Sequence, residues 1–92
     1  MDRNVIWLPS VREKLSRFRS EHFTAEETLD FILTFVIETE ELLKSKFIGR
    51  TYTEEFGHYK GLSRIVIRKF RVYYKKDQDN IIILAILFPG EI

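Results

Sequence analysis

Between Phe56 and Lys76 the chain carries seven bases (Lys60, Arg64, Arg68, Lys69, Arg71, Lys75 and Lys76) and no acid. Tyr73 stands among them. Arginine suits phosphate because its planar guanidinium donates in a fixed fork, and a tyrosine ring can stack on a nucleobase. Such a stretch fits a polyanion or an acidic protein segment. Upstream the sign reverses. From Thr24 to Leu42 there are six acids (Glu26, Glu27, Asp30, Glu38, Glu40 and Glu41) and no base, so the net charge of +1 conceals a polarised chain. Two solvated faces of opposite sign would give the same pattern.

The absence of cysteine excludes disulfides, thiolate nucleophiles and Cys-ligated zinc. No motif calls for a metal or a cofactor. At 92 residues the chain has room for one core, so residues 1–92 are expected to form a single domain. With 45% hydrophobic and 32% charged residues, the composition is that of a folded protein rather than a disordered one. The N-terminus does not read as a signal peptide, and the longest apolar run, Ile81 to Pro89, is far short of the ~20 residues that span a bilayer. A reducing, cytoplasmic setting without membrane association is the expectation.

These cations need elements to position them. Val5-Ile6-Trp7-Leu8 is a short run of strand formers closed by Pro9. Ser10 and Glu13 have capping-box spacing, and Val11, Leu15, Phe18 and His22 follow as one apolar helical stripe. Thr24 and Glu27 repeat the capping signal and open a second helix, expected from Ala25 to about Lys46. Leu29, Ile32, Val36, Leu43 and Phe47 mark its principal buried stripe. Phe31, Leu33, Phe35 and Ile37 widen it, so cover on more than one side is expected. Gly49 ends the helical hairpin.

Residues 50–61 form a connector without clean periodicity. Leu62 to Arg68 and Phe70 to Lys75 then alternate as strands, Asp77 to Asn80 reads as a turn, and Ile81 to Phe88 is apolar on both faces. The order is β-α-α-β-β-β, an α+β fold with an antiparallel sheet and the helical hairpin packed on one face. The helices should cover Ile65, Ile67, Phe70, Val72 and Tyr74. Arg64, Arg68, Arg71, Tyr73 and Lys75 should then share the opposite, bare face, a candidate nucleic-acid surface. Antiparallel sheets also commonly leave one polar face in water.

An ordered series of segments resembles the RelE/ParE superfamily of bacterial type II toxins. They are Val5 to Pro9, the capped helical hairpin, Phe47-Ile48-Gly49-Arg50, Gly61-Leu62-Ser63-Arg64, Lys69-Phe70-Arg71-Val72-Tyr73-Tyr74, and Ile81 to Leu87. The resemblance covers nearly the whole chain, and the Arg-x-Tyr-Tyr strand after an Arg-bearing strand is its most telling part. It implies a toxin neutralised by a cognate antitoxin, as in plasmid stabilisation systems. One branch of the superfamily cuts mRNA in the ribosomal A site. The other inhibits DNA gyrase and has no known catalytic site.

The ribonuclease branch implies further roles. Its reaction, attack of the RNA 2′-OH on the adjacent phosphate, needs a base, an acid and cations. Arg71 falls where that branch carries a catalytic strand arginine, and Arg64 on a second basic position. Glu54 (or Glu55) matches a connector glutamate used as base in one subgroup, and His58 and Tyr59 lie beside it. Arg68, Lys69, Tyr73, Lys75 and Lys60 would contact the RNA. Each connector residue also reads as an ordinary solvated loop position. The sequence departs from the branch at the end of its last strand. Leu87-Phe88-Pro89-Gly90-Glu91 supplies no His or Tyr, and Glu91 is the one titratable group there. His22 reads as packing and Tyr74 as core.

Overall fold

Pro9 closes one element and opens the next, because its fixed φ suits a first helical turn where an N–H has no partner anyway. In the computed structural model, which describes residues 3–45 and 52–91, it separates β1 (Asn4–Trp7) from α1 (Pro9–Ser16). The chain continues through α2 (Ala25–Lys44), β2 (Tyr52–Thr53), β3 (Ser63–Ile67), β4 (Phe70–Asp77) and β5 (Asn80–Leu87). The expected α+β fold is present, with helices packed against one sheet. Two features extend it. The connector contributes a short strand, β2, and β1 lies parallel to β5, so the sheet is mixed, in the order β1-β5-β4-β3-β2.

Helix starts differ from expectation in an instructive way. Thr24 and Glu27 form the full capping box, the Thr24 side chain accepting from the Glu27 N–H and the Glu27 carboxylate from the Thr24 N–H. Ser10 and Glu13 do not, since α1 begins one residue earlier behind Leu8, which has no side-chain cap. Starting at the proline leaves Ser10 inside the first turn. α1 also stops at Ser16. Phe18 is buried beyond its end, whereas His22 is exposed in a turn, contrary to the stripe reading.

The buried line of α2 is Thr28, Phe35, Thr39 and Leu43. Leu29 (59% exposed), Leu33 (52%) and Ile37 (56%) face outward, so this helix is covered on one side only. Threonines can replace aliphatics on the covered side because each hydroxyl donates to the carbonyl four residues back. Thr28 bonds Thr24 at 2.9 Å and Thr39 bonds Phe35 at 2.7 Å. Phe47 and Gly49, together with the Phe47 to Arg50 segment, lie outside the described residues.

Between helices and sheet lies an aromatic core centred on Phe70, which is fully buried. Its ring centroid is 4.5 Å from Phe35, 5.1 Å from Phe18 and 5.8 Å from Phe88. Ile67, Val72 and Tyr74 join it from the sheet, and Ile65 packs against it half-buried. A bulge between Tyr73 and Tyr74 shifts the β5 register, so Ile81, Ile83 and Ile86 all reach the core despite their mixed parity.

Candidate functional site

Register decides which side chains share the second sheet face. Arg64 lies opposite Tyr73, and Val66 opposite Arg71, in the antiparallel β3–β4 pair. Directly paired residues project to the same side. Arg64, Tyr73 and Arg71 therefore leave the sheet away from the helices, as alternation predicts, and Lys75 continues the row.

Arg68 does not join them. It sits with Lys69 in the two-residue turn between β3 and β4, at φ +51° and +70°. Tight hairpins need this backbone because its twist matches that of the strands. Neither residue is glycine, so nothing in the sequence flags a turn, and strand alternation reads straight through. The turn swings Arg68 to the helix side. There its guanidinium makes a bidentate pair with Glu38 of α2, at 2.8 Å for both bonds, and lies 5.5 Å from the Phe31 ring centroid. The pairing holds the Glu38 carboxyl below its ordinary pKa and raises that of Arg68, chiefly through the hydrogen bonds themselves.

The second face is also not bare. Segment 54–62 folds back over it, closed by reciprocal backbone bonds: Glu54 N–H to the Leu62 carbonyl (2.9 Å) and Gly61 N–H to the Glu54 carbonyl (2.8 Å). Gly61 supplies the left-handed backbone (φ +89°) that the closure requires. Tyr59 from this loop stacks on Tyr73 at 4.4 Å. Tyr73 is thereby only 2% exposed, so its ring is not open to a nucleobase. Parity placed it on the correct side but could not show what covers it.

Glu54 is the hub of the arrangement. Its Oε2 accepts from the Arg64 guanidinium at 3.1 Å and from the Tyr73 hydroxyl at 3.2 Å. Both members of the ion pair are largely shielded, with side-chain exposures of 14% for Glu54 and 25% for Arg64. Tyr52, unremarked in the sequence, lies opposite Arg64 and puts its ring 4.1 Å from the guanidinium, a cation–π contact. Parity of a two-residue strand was too short a signal to find it. Among the described residues, Arg71, Lys75, Lys60 and Lys69 have no ion-pair partner and are exposed. Glu55 and His58 are exposed in the same loop.

Glu91, beyond β5, is tied down. Lys14 reaches it at 2.8 Å while also donating to the Ile86 carbonyl, and the Phe88 N–H donates to the carboxylate. Lys14 and then Phe88 hold this carboxyl below its ordinary pKa, which unsuits it to protonate a leaving group near neutral pH. Tyr74 belongs to the core, as expected, and burial pushes its phenol pKa up. Among the described residues no group of three or more His, Asp or Glu could hold a metal, and no helix is long and apolar enough to cross a membrane.

This layout of a helix pair against a sheet with a basic second face has a counterpart. A family model described as the ParE toxin of the type II toxin–antitoxin system, parDE, matches residues 5–88. The chain belongs to the ParE toxin family. It is thus the toxin of a type II toxin–antitoxin pair, with a cognate antitoxin as partner. No curated protein and no solved structure matches it. Within this ParE-family chain the match runs from the second residue of β1 through the whole of β5 and includes both arginines of the second face.

Proposed function

We propose that this toxin is a ribosome-dependent mRNA endonuclease, with Glu54 as base and Arg64 and Arg71 as phosphate-binding cations. One observation carries the reading: a shielded carboxylate is held beside one arginine, on the face from which a second arginine projects with no ion-pair partner among the described residues. Cleavage by 2′-OH attack requires a base, cations for the developing charge and a proton for the leaving oxygen; the carboxylate and the guanidinium groups supply the first two. Glu54 takes the proton of the 2′-OH as that oxygen bonds to phosphorus. The bond from phosphorus to the 5′-oxygen breaks, leaving a 2′,3′-cyclic phosphate, and the released oxygen takes a proton from water. Arg64 and Arg71 stabilise charge on the phosphate oxygens. Lys60, Lys69 and Lys75 add long-range attraction for the RNA backbone in the cytoplasm.

Ribosomes programmed with mRNA test it. Free toxin should cleave A-site codons, and Arg71→Ala should slow cleavage by about two to three decades, the usual cost of one transition-state donor. An intact message at stoichiometric toxin removes the proposal. A second reading, non-catalytic inhibition of DNA gyrase, is favoured by the end of β5, where no His or Tyr is present and Glu91 is bound by Lys14. Inhibition of supercoiling by purified gyrase, with mRNA untouched, would establish that reading instead. In either case the cationic face attracts an acidic antitoxin segment, which would cover Arg64 and Arg71.

A further inference from the structure

We propose that Tyr73 is a positioning residue that fixes the Glu54 carboxylate in its working orientation; this rests on Glu54 acting as the base. Two independent donors, the Arg64 guanidinium and the Tyr73 hydroxyl, converge on the same oxygen, Oε2. Among the described residues Oε1 receives no donor. A carboxylate held by one oxygen presents the other for proton abstraction, and its second lone-pair set is not consumed by the scaffold.

Arg64 alone cannot do this through the reaction. Its guanidinium is asked to serve the phosphate as charge builds there, which weakens its hold on Glu54. The tyrosine has no such competing duty. Tyr73 is fixed by its place in β4 between two neighbouring strands and by the Tyr59 ring stacked on it, so its hydroxyl is a stationary donor. The backbone of Glu54 is held as well, through Leu62 and Gly61. Main chain and one carboxylate oxygen are thus both anchored, which leaves little rotational freedom at the base. Small misplacements at a reacting group cost orders of magnitude in rate.

The test is Tyr73→Phe, which removes one oxygen and keeps the ring stack. kcat for cleavage of ribosome-bound mRNA should fall about 10- to 100-fold with KM unchanged and the melting temperature preserved. The side-chain carboxyl 13C signal of Glu54, assigned by its loss in Glu54→Gln, should move and broaden in the same variant. That second measurement needs no catalysis. A wild-type enzyme that cleaves, with Tyr73→Phe equally fast, overturns the positioning role and leaves the endonuclease standing. An unmoved Glu54 signal overturns it whatever the activity. A rise in KM at constant kcat would make Tyr73 a substrate-binding group and equally sink the proposal. Should the wild type not cleave at all, the endonuclease reading fails, and the catalytic role of Tyr73 goes with it.

Discussion

Phe70 and Arg71 are neighbours on β4 whose side chains leave opposite faces of the sheet, so replacing each with alanine separates packing from surface chemistry. Phe70 is fully buried, and its ring lies within 6.0 Å, centroid to centroid, of Phe18, Phe31, Phe35 and Phe88. Truncating a phenylalanine in such a site costs about 3–5 kcal/mol, through lost transfer energy and the cavity left behind. A chain of 92 residues has a total stability of roughly 5–14 kcal/mol, so the variant would lose a large fraction of it. At about 4–8 °C per kcal/mol, even 3 kcal/mol lowers the melting temperature by roughly 12–24 °C. Arg71 is exposed and has no ion-pair partner among the described residues, so Arg71→Ala should stay within about 0.5 kcal/mol of wild type. Urea and thermal unfolding followed by far-UV circular dichroism measure both, and growth arrest on expression without antitoxin reports toxicity. Both variants should lose toxicity, but only Phe70→Ala by unfolding. Equal destabilisation of the two, or a loss below about 1 kcal/mol for Phe70→Ala, would refute the division of faces on which the site rests.

Lys69→Gly should raise the urea midpoint by about 1 kcal/mol equivalent, because a non-glycine residue at φ +70° carries a steric penalty of that size and Lys69 has no ion-pair partner among the described residues. Thr24→Ala removes the capping box of α2 and should cost about 1 kcal/mol in the same measurement. For Glu91→Gln the effect is pH-dependent. The folded carboxyl titrates below its unfolded value of about 4.3, so the bond to Lys14 stabilises fully above that pH and fades as pH falls through the lowered value. The stability difference between wild type and Glu91→Gln should therefore be constant near neutrality and shrink in acid.

Much of this molecule is written in local pattern. The Thr24–Glu27 spacing set the start of α2, the 65-67 and 70-72-74 alternation set the core face, and Asp77 to Asn80 holds the last turn, where Gln78 takes a positive φ. What stayed hidden depends on contacts far apart in the chain. Arg68 is captured by Glu38 because a glycine-free turn reverses its side, and no local preference announces that. Burial of Tyr73 requires Tyr59, which reaches it through a loop without periodicity. On α2, Thr28 and Thr39 took places that hydropathy would assign to Leu29 and Leu33, since an internal hydroxyl bond to the preceding turn lets threonine act as an apolar residue. Paired charges illustrate the same limit. The sequence counts cations on the second face, but only coordinates reveal that Glu54 has already taken one of them.

Among the described elements strand β5 comes last yet sits inside the sheet, between β1 and β4, and Ile81, Ile83 and Ile86 give the core its floor. Synthesis on the ribosome proceeds from the N-terminus, so a nascent chain that ends ahead of Asn80 has two sheet fragments and not the strand that joins them. Contacts that span almost the entire chain, such as Asn4 with Asn80, form late because their loop must close first. The second face that carries Arg64 and Arg71 therefore belongs to a complete sheet only once β5 is in place. A chain cut ahead of Asn80 keeps the β3–β4 pair with Arg64 and Arg71 but loses the strand that ties it to β1 and floors its core.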